Sequence, residues 1–175
     1  MTSKYLMNNL SLSLISSILI GLGATLSTDL WALFLKHAFK IAVPNYCLVG
    51  RWLRYMLEGT FRHSNIASTP QKSAECTAGW IAHYMIGITF AIIFVTAAGN
   101  NWLQHPSLIP AITFGLVTVL MPFFIMQPAF GLGLAASKTS NPTQARLRSV
   151  MNHTAFGVGL YLSGWLVNWL LTAYV

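Results

Sequence analysis

The chain has 175 residues, of which 55% are hydrophobic and only 7% are charged, and its formal net charge is +7. A soluble domain carries roughly 25% charged residues, so this composition excludes water as the main solvent of the chain. Basic residues beside long apolar segments are explained by membrane topology and anionic lipid headgroups, and we therefore expect no nucleic-acid partner. The composition predicts an integral membrane protein in contact with the lipid bilayer.

Four apolar segments follow one another along the chain, and each is close to the length of about 20 residues that a helix needs to cross a bilayer. They cover about residues 10–35, 77–98, 108–126 and 150–172. Near-continuous apolar runs of this length are not the alternating pattern of a membrane β-barrel. The sequence therefore predicts one all-α domain over residues 1–175, a bundle of four transmembrane helices.

The segment between the first two spans is the least apolar part of the chain. Residues 46–61 mix Leu48, Trp52 and other apolar side chains with Arg51 and Glu58. A fifth span here would bury two arginines and a glutamate in lipid, which is costly. We therefore expect an amphipathic segment that lies in the membrane interface.

A proline lies inside the third predicted span. Pro122 has no backbone N–H and its ring disturbs the preceding turn, so the helix should kink or open there. Gln127, Pro128 and Gly131 follow it closely. Because broken helix at membrane depth is tolerated only inside protein or beside a wet cavity, we expect this corner to line a cavity.

Nine of the ten Lys and Arg residues fall on one side of the predicted bundle. They are Lys36, Lys40, Arg51, Arg54, Arg62, Lys72, Lys138, Arg146 and Arg148. Short basic loops stay in the cytoplasm, so both termini are predicted to lie on the outer side of the membrane. Cys47 and Cys76 fall on the cytoplasmic side, where thiols are kept reduced, and we expect them to be free.

Three spans each carry one ionisable residue on a line of small residues spaced by four, which is one face of a helix. The lines are Ser13, Ser17, Gly21, Thr25, Asp29; Gly79, His83, Gly87, Ala91; and Ser149, His153, Gly157, Tyr161. Small residues let helices approach closely, so we expect these faces to meet and to bring Asp29, His83 and His153 together. If such lines lie on the outside instead, they would join two copies of the chain in a homo-oligomer.

Three further side chains are expected near this polar site. Gln127 approaches the same depth from the end of its helix, while Arg51 and Glu58 can fold back from the interfacial segment. An ionisable group at this depth costs several kcal/mol unless it is paired, so the site is a functional candidate.

The chemistry of the site remains open between several hypotheses. Asp29, His83 and His153 match the ligands of a divalent transition metal, and the two histidines alone match the axial ligands of a haem. Aspartate and histidine can also pass protons or act as general base and acid, which suits a proton-coupled permease or an intramembrane enzyme at the inner leaflet. In the simplest alternative, Asp29 pairs with Arg51 or a histidine and only holds the bundle together.

Several motifs in a fixed order resemble a domain-of-unknown-function family of small bacterial inner-membrane proteins. They are GLGATLSTDLWA (21–32), VGRW (49–52), QPAFGLGLAASKT (127–139), Pro142, Arg146 and HTAFGVGLYL (153–162). The resemblance implies a helical bundle in the bacterial inner membrane, with the outer termini then periplasmic, and it implies no activity. Our interpretation is a permease-like or proton-handling protein whose small-molecule or ion ligand is not identified by the sequence.

Overall fold

Helices make up most of the chain. The computed structural model describes residues 2–173, with side chains described from residue 11 onward, so residues 1, 174 and 175 of the predicted domain lie outside the described residues. The α-helices are α1 (Thr2–Phe39), α2 (Tyr46–Met56), α3 (Glu75–Ala98), α4 (Asn100–Gln104), α5 (Leu108–Thr118), α6 (Gln127–Ala129) and α7 (Pro142–Ala173). Two 3₁₀ turns, Ile66–Ser68 and Leu134–Ala136, lie in the loops.

Four segments are long and apolar enough to cross a membrane, which confirms the predicted fold class. They are Ser11–Phe39, Glu75–Ala98, Leu108–Ala129 and Pro142–Ala173. Large apolar side chains on the outer surfaces of these segments are exposed: Leu30 is 57%, Ile81 60% and Trp169 54% exposed. A surface of this kind is costly in water and favourable in lipid. The chain is therefore a membrane protein with four helical spans.

The fourth span begins before the predicted residue 150 because α7 has a well-formed start. The side chain of Asn141 accepts a hydrogen bond of 3.1 Å from the backbone of Gln144. Pro142 then occupies the first turn, where its missing N–H costs nothing. The helix therefore extends out of the apolar region and carries Arg146 and Arg148 with it.

Two connecting segments form a layer at the end of the bundle where the basic residues lie. We call this layer the basic face (residues 40–74, which include α2, and residues 130–141). The backbone N–H of His63 donates to the carbonyl of Ala129 at 2.8 Å, and that of Ile66 donates to Phe130 at 3.1 Å. Ile66, Ala129 and Phe130 also form a small buried apolar cluster. The loop between α2 and α3 is thus fixed to the end of the third span.

The amphipathic segment docks on α3 through two glycines. A Cβ at Gly50 would overlap the carbonyl oxygen of Glu75, and one at Gly79 would overlap that of Tyr46. The two backbones can touch only because both positions lack a side chain. This approach brings the Cα atoms of Cys47 and Cys76 to 3.9 Å, and the two cysteines form a disulfide. The expectation of free thiols was wrong, since it took no account of the glycine contact.

The third span opens at Pro122 as predicted. Its regular α-helix ends at Thr118, and residues Pro122–Met126 form a π-helical turn before the short helix α6. Proline removes one donor from the helix ladder, and a wider turn accommodates the loss. The altered backbone sets the direction in which Gln127 leaves the helix.

The small-residue faces pair up differently from the prediction. Gly21 of α1 packs against Gly87 and Ala91 of α3, so those two lines meet as expected. Gly157 of α7 packs instead against Ala111 of α5, while Gly159, on another face of α7, packs against α1. The line that carries His153 therefore faces α5 and not the contact between α1 and α3.

An apolar core fills the bundle on the side away from the basic face. Its buried members are Ile20, Ala24, Ala91, Phe94, Val95, Trp102, Ala111, Phe156, Leu160 and Val167. Trp102 comes from the hairpin helix α4 and closes this end of the core, with its ring 4.6 Å from that of Phe94. Asp29, His83 and His153 lie instead in the half of the bundle nearer the basic face.

Candidate functional site

Asp29 is the centre of a hydrogen-bonded group that joins three helices. Its Oδ1 lies 3.0 Å from Nε2 of His83, and its Oδ2 accepts a 3.0 Å hydrogen bond from the hydroxyl of Tyr84. The hydroxyl of Tyr46 donates to Oδ1 over a longer distance of 3.5 Å. The side chains of Asp29 and His83 are only 14% and 16% exposed. We call these four residues the Asp29 cluster.

Aromatic rings hold the imidazole of His83 in place. The ring of Tyr46 stacks on it with 3.9 Å between centroids, and Trp80 meets its edge at 5.9 Å. Burial and the neighbouring Asp29 raise the pKa of Tyr46 above its usual range, so its phenol stays protonated and serves as a donor. The cluster therefore presents one carboxylate, one oriented imidazole and two hydroxyl donors.

His153 does not join this cluster. Its Nδ1 lies 2.7 Å from the hydroxyl of Thr118, and that hydroxyl donates to the carbonyl of Gly115 at 2.6 Å. The hydroxyl has one proton, so it accepts from an Nδ1–H of His153. His153 is thus used in the contact between α5 and α7. The physical reason is that its helix face packs on α5.

Arg51 lies on the basic face and pairs with Glu75 instead of Asp29. Its Nε and Nη2 bind the two carboxylate oxygens at 2.9 and 2.7 Å, and both side chains are buried. Its Nη1 also donates to the carbonyls of Ile66, Ala67 and Thr69. The hydrogen bonds to Glu75 raise the pKa of Arg51, which stays charged. The arginine ties α2, α3 and the loop between them together.

Glu58 lies apart from the expected site as well. Its carboxylate binds Nζ of Lys72 at 2.7 Å, and the glutamate side chain is 54% exposed. The reason is that α2 ends at Met56, so Glu58 lies in the turn that follows the helix and faces outward. Exposed pairs of this kind contribute little to stability.

Gln127 lines a separate cavity of about 260 Å³ at the basic face. Arg148, Ser149 and Asn152 of α7 line the same cavity, and Ala32 of α1 belongs to its apolar wall. The Nε2 of Gln127 donates to the hydroxyl of Ser149 at 3.3 Å. This confirms that the corner after Pro122 lines a cavity, but the glutamine is not part of the Asp29 cluster.

The three predicted metal ligands are not assembled. Among residues 2–173, no group of three or more His, Cys, Asp or Glu side chains is placed to hold a metal ion. Asp29 and His83 are in contact, while His153 is bound to Thr118. A haem held by both histidines fits poorly too, since Nε2 of His83 already pairs with Asp29. The residues of the cluster suit proton transfer better than metal binding.

The sequence missed two members of the cluster, Tyr46 and Tyr84. Tyr84 directly follows His83, and Tyr46 precedes Gly50 by four residues, the same spacing that separates Gly79 from His83. Residues four apart share a helix face, so the paired spacings were a usable signal. It could be read only with the knowledge that the two glycines touch.

The fold and the site together define a helical membrane protein with a buried carboxylate–imidazole pair near one membrane face. Over residues 18–167 the chain matches the model of a family described as protein of unknown function, DUF2938, and it belongs to that family. Comparison with curated proteins and with solved structures yields no match. The family model confirms the resemblance found in the sequence.

The buried pair of Arg51 and Glu75 gives a direct test of the basic-face layer. Replacing Arg51 with Met should lower the free energy of unfolding by about 3–5 kcal/mol, because the buried carboxylate of Glu75 is left without its counter-ion. The matched control is Lys72→Met at the exposed pair, which should cost less than about 1 kcal/mol. Denaturant unfolding in detergent measures both values, and equal losses would contradict the structural role of Arg51.

Proposed function

We propose that this protein handles protons in the half of its bundle nearer the basic face, as part of a permease-like cycle, with Asp29 and His83 as the proton-binding pair. The observation that carries the proposal is the 3.0 Å contact between a carboxylate and an imidazole that belong to different spans. Histidine is the side chain whose ordinary titration falls between pH 5 and 8. Carboxylates and histidines at membrane depth are typical of proton relays.

Protonation at this position is coupled to helix packing. Asp29 lies on α1, Tyr46 on α2, and His83 and Tyr84 on α3. The carboxylate on α1 therefore binds side chains from both other helices. A protonated carboxyl group binds these donors less strongly than a carboxylate does. Proton uptake by Asp29 would therefore weaken the contact of α1 with α2 and α3. A carrier needs such a coupling between a charge and a helix contact.

The distribution of space in the bundle also supports a carrier. The cavity beside Gln127 lies at the basic face, whereas the opposite half is filled by Phe94, Trp102, Leu160 and their neighbours. One half accessible and the other closed is the arrangement expected for a single state of an alternating cycle. In this proposal the packed half opens when the Asp29 cluster releases its helices.

An intramembrane enzyme is the second candidate. The same hydrogen bond favours it, because Asp29 would orient His83 as a general base, as carboxylates do in hydrolase triads. A substrate would then have to reach the imidazole ring. Tyr46 covers one face of that ring and Trp80 meets its edge. We therefore rank proton handling first.

A proton-flux assay tests the proposal. The purified protein is reconstituted into vesicles that contain a pH-sensitive dye, and the outside is acidified. We expect faster acidification of the lumen than in empty vesicles, and a return to the empty-vesicle rate for Asp29→Asn and His83→Gln. The matched control is His153→Gln, which changes a histidine outside the cluster and should behave as the unmodified protein.

Equal flux in the unmodified protein and the Asp29→Asn variant would contradict proton handling. If both are inactive and the variant differs only in stability, Asp29 holds the bundle together and does nothing further.

We also propose that the basic face is cytoplasmic, in a bacterial inner membrane, with both termini in the periplasm. Nine of the ten Lys and Arg residues support this orientation. The disulfide between Cys47 and Cys76 points the other way, because it lies on the same face and disulfides persist in oxidising compartments. We give more weight to the basic residues, which act while the spans insert, whereas the cysteines meet only after folding.

Reporter fusions decide the orientation. Alkaline phosphatase fused to a membrane protein is active only in the periplasm. Green fluorescent protein fused in the same way fluoresces only in the cytoplasm. We expect phosphatase activity from a fusion after Val175 and fluorescence from a fusion after Ser140. The reverse pattern would place the basic face in the periplasm and would make the disulfide a permanent bond.

A further inference from the structure

Two residues that line the cavity at the basic face each have one buried polar atom without a partner among the described residues. Nε of Arg148 and Oε1 of Gln127 are both buried, and neither has a hydrogen-bond partner among the described residues. Gln127 as a whole is only 6% exposed. An unpaired buried polar group destabilises the folded protein, and a charged one does so more strongly. Both residues line the same cavity, so an occupant that draws either side chain towards the cavity can satisfy its atom.

The two atoms require different chemical groups on a ligand. Nε of Arg148 is a donor on a permanent cation, and guanidinium groups bind phosphates and carboxylates through parallel hydrogen bonds. Oε1 of Gln127 is an acceptor and requires an O–H or N–H group. Ser149 and Asn152 add polar groups to the same wall. The ligand therefore combines an anionic group with a neighbouring hydrogen-bond donor.

The opposite wall and the position of the cavity further restrict the size and chemistry of the ligand. Ala32 and Leu35 of α1 and Pro44 of the following loop are apolar and face the polar wall of α7. A volume of about 260 Å³ has room for a small organic anion. The cavity lies where the spans reach the basic residues, at the level of lipid headgroups, where phosphate is the abundant anion.

We propose that this cavity binds a phosphate ester that carries a hydroxyl donor, with Arg148 on the phosphate and Gln127 accepting from the hydroxyl. None of the residues that line this cavity belongs to the Asp29 cluster, so binding here can be measured whether or not the protein handles protons. Two sources offer this chemistry, a glycerophosphate headgroup of a membrane lipid and a free glycerol phosphate. The apolar wall of α1 accepts the carbon chain beside the ester in both cases.

Binding is measured on delipidated, detergent-purified protein with three probes. Phosphatidylglycerol has the phosphate and hydroxyl donors, phosphatidylcholine has the phosphate without a donor, and sn-glycerol 3-phosphate is the soluble ester. Native mass spectrometry follows the two lipids, and equilibrium dialysis follows the soluble ester. We expect tighter binding of phosphatidylglycerol than of phosphatidylcholine if the lipid is the source. Saturable binding of glycerol phosphate is expected if the soluble ester is the source.

Three variants separate the site from general attraction to a basic surface. Arg148→Gln should weaken binding by about tenfold or more, the effect of losing a hydrogen bond to a charged group. Arg146→Gln is the matched control, since Arg146 is two residues away, exposed, and bound to the carbonyl of Ala135. It should bind as the unmodified protein does. Gln127→Leu should keep affinity for phosphate but lose the preference for phosphatidylglycerol over phosphatidylcholine.

Each outcome decides the proposal. Arg148-dependent binding of either probe supports it and names the source of the ligand. No saturable binding of any probe, or equal losses in the Arg148 and Arg146 variants, would overturn it. Gln127→Leu removes one unpaired acceptor and one hydrogen bond of 3.3 Å to Ser149, so that variant should fold about as well as the unmodified protein. It therefore remains informative if Arg148→Gln does not fold.

Discussion

A carboxylate within a membrane span must be paired, and the pairing of Asp29 determines how the first three helices of this bundle meet. Water is scarce at this depth, so the charge is supported by donors from the protein or not at all. His83 and Tyr84 reach it from α3, and Tyr46 reaches it from α2. The helix contacts and the chemistry of the site therefore rest on the same acceptor, and a change in its charge changes both.

The donor from α2 depends on structure outside the spans. The contact between Gly50 and Gly79 and the buried pair of Arg51 with Glu75 hold α2 against α3, and this places Tyr46 over the imidazole of His83. The basic face is thus an ordered layer, and through α2 it supplies Tyr46 to the Asp29 cluster. It also forms the rim of the second cavity, which is lined by Arg148 and Gln127. Nε of Arg148 and Oε1 of Gln127 have no hydrogen-bond partner among the described residues.

Much of the fold could be predicted because lipid imposes simple rules on sequence. Span length, the break at Pro122 and the meeting of α1 with α3 follow from apolar runs, a missing donor and small residues at helical spacing. The position of His153 could not be predicted, because α7 has small residues on two faces and periodicity does not say which neighbour each face meets. The pairing of Cys47 with Cys76 likewise depends on an antiparallel helix contact that no local pattern contains.

The most direct test of the account is a double-mutant cycle on Asp29 and His83. Free energies of unfolding are measured in detergent for the unmodified protein, Asp29→Asn, His83→Gln and the double variant. If Asp29 and His83 stabilise each other, the sum of the stability losses in the two single variants should exceed the loss in the double variant. The expected coupling energy is about 0.5–3 kcal/mol, as for contacting polar groups. Strictly additive losses would mean that the two side chains do not interact, and the polar cluster would lose its centre.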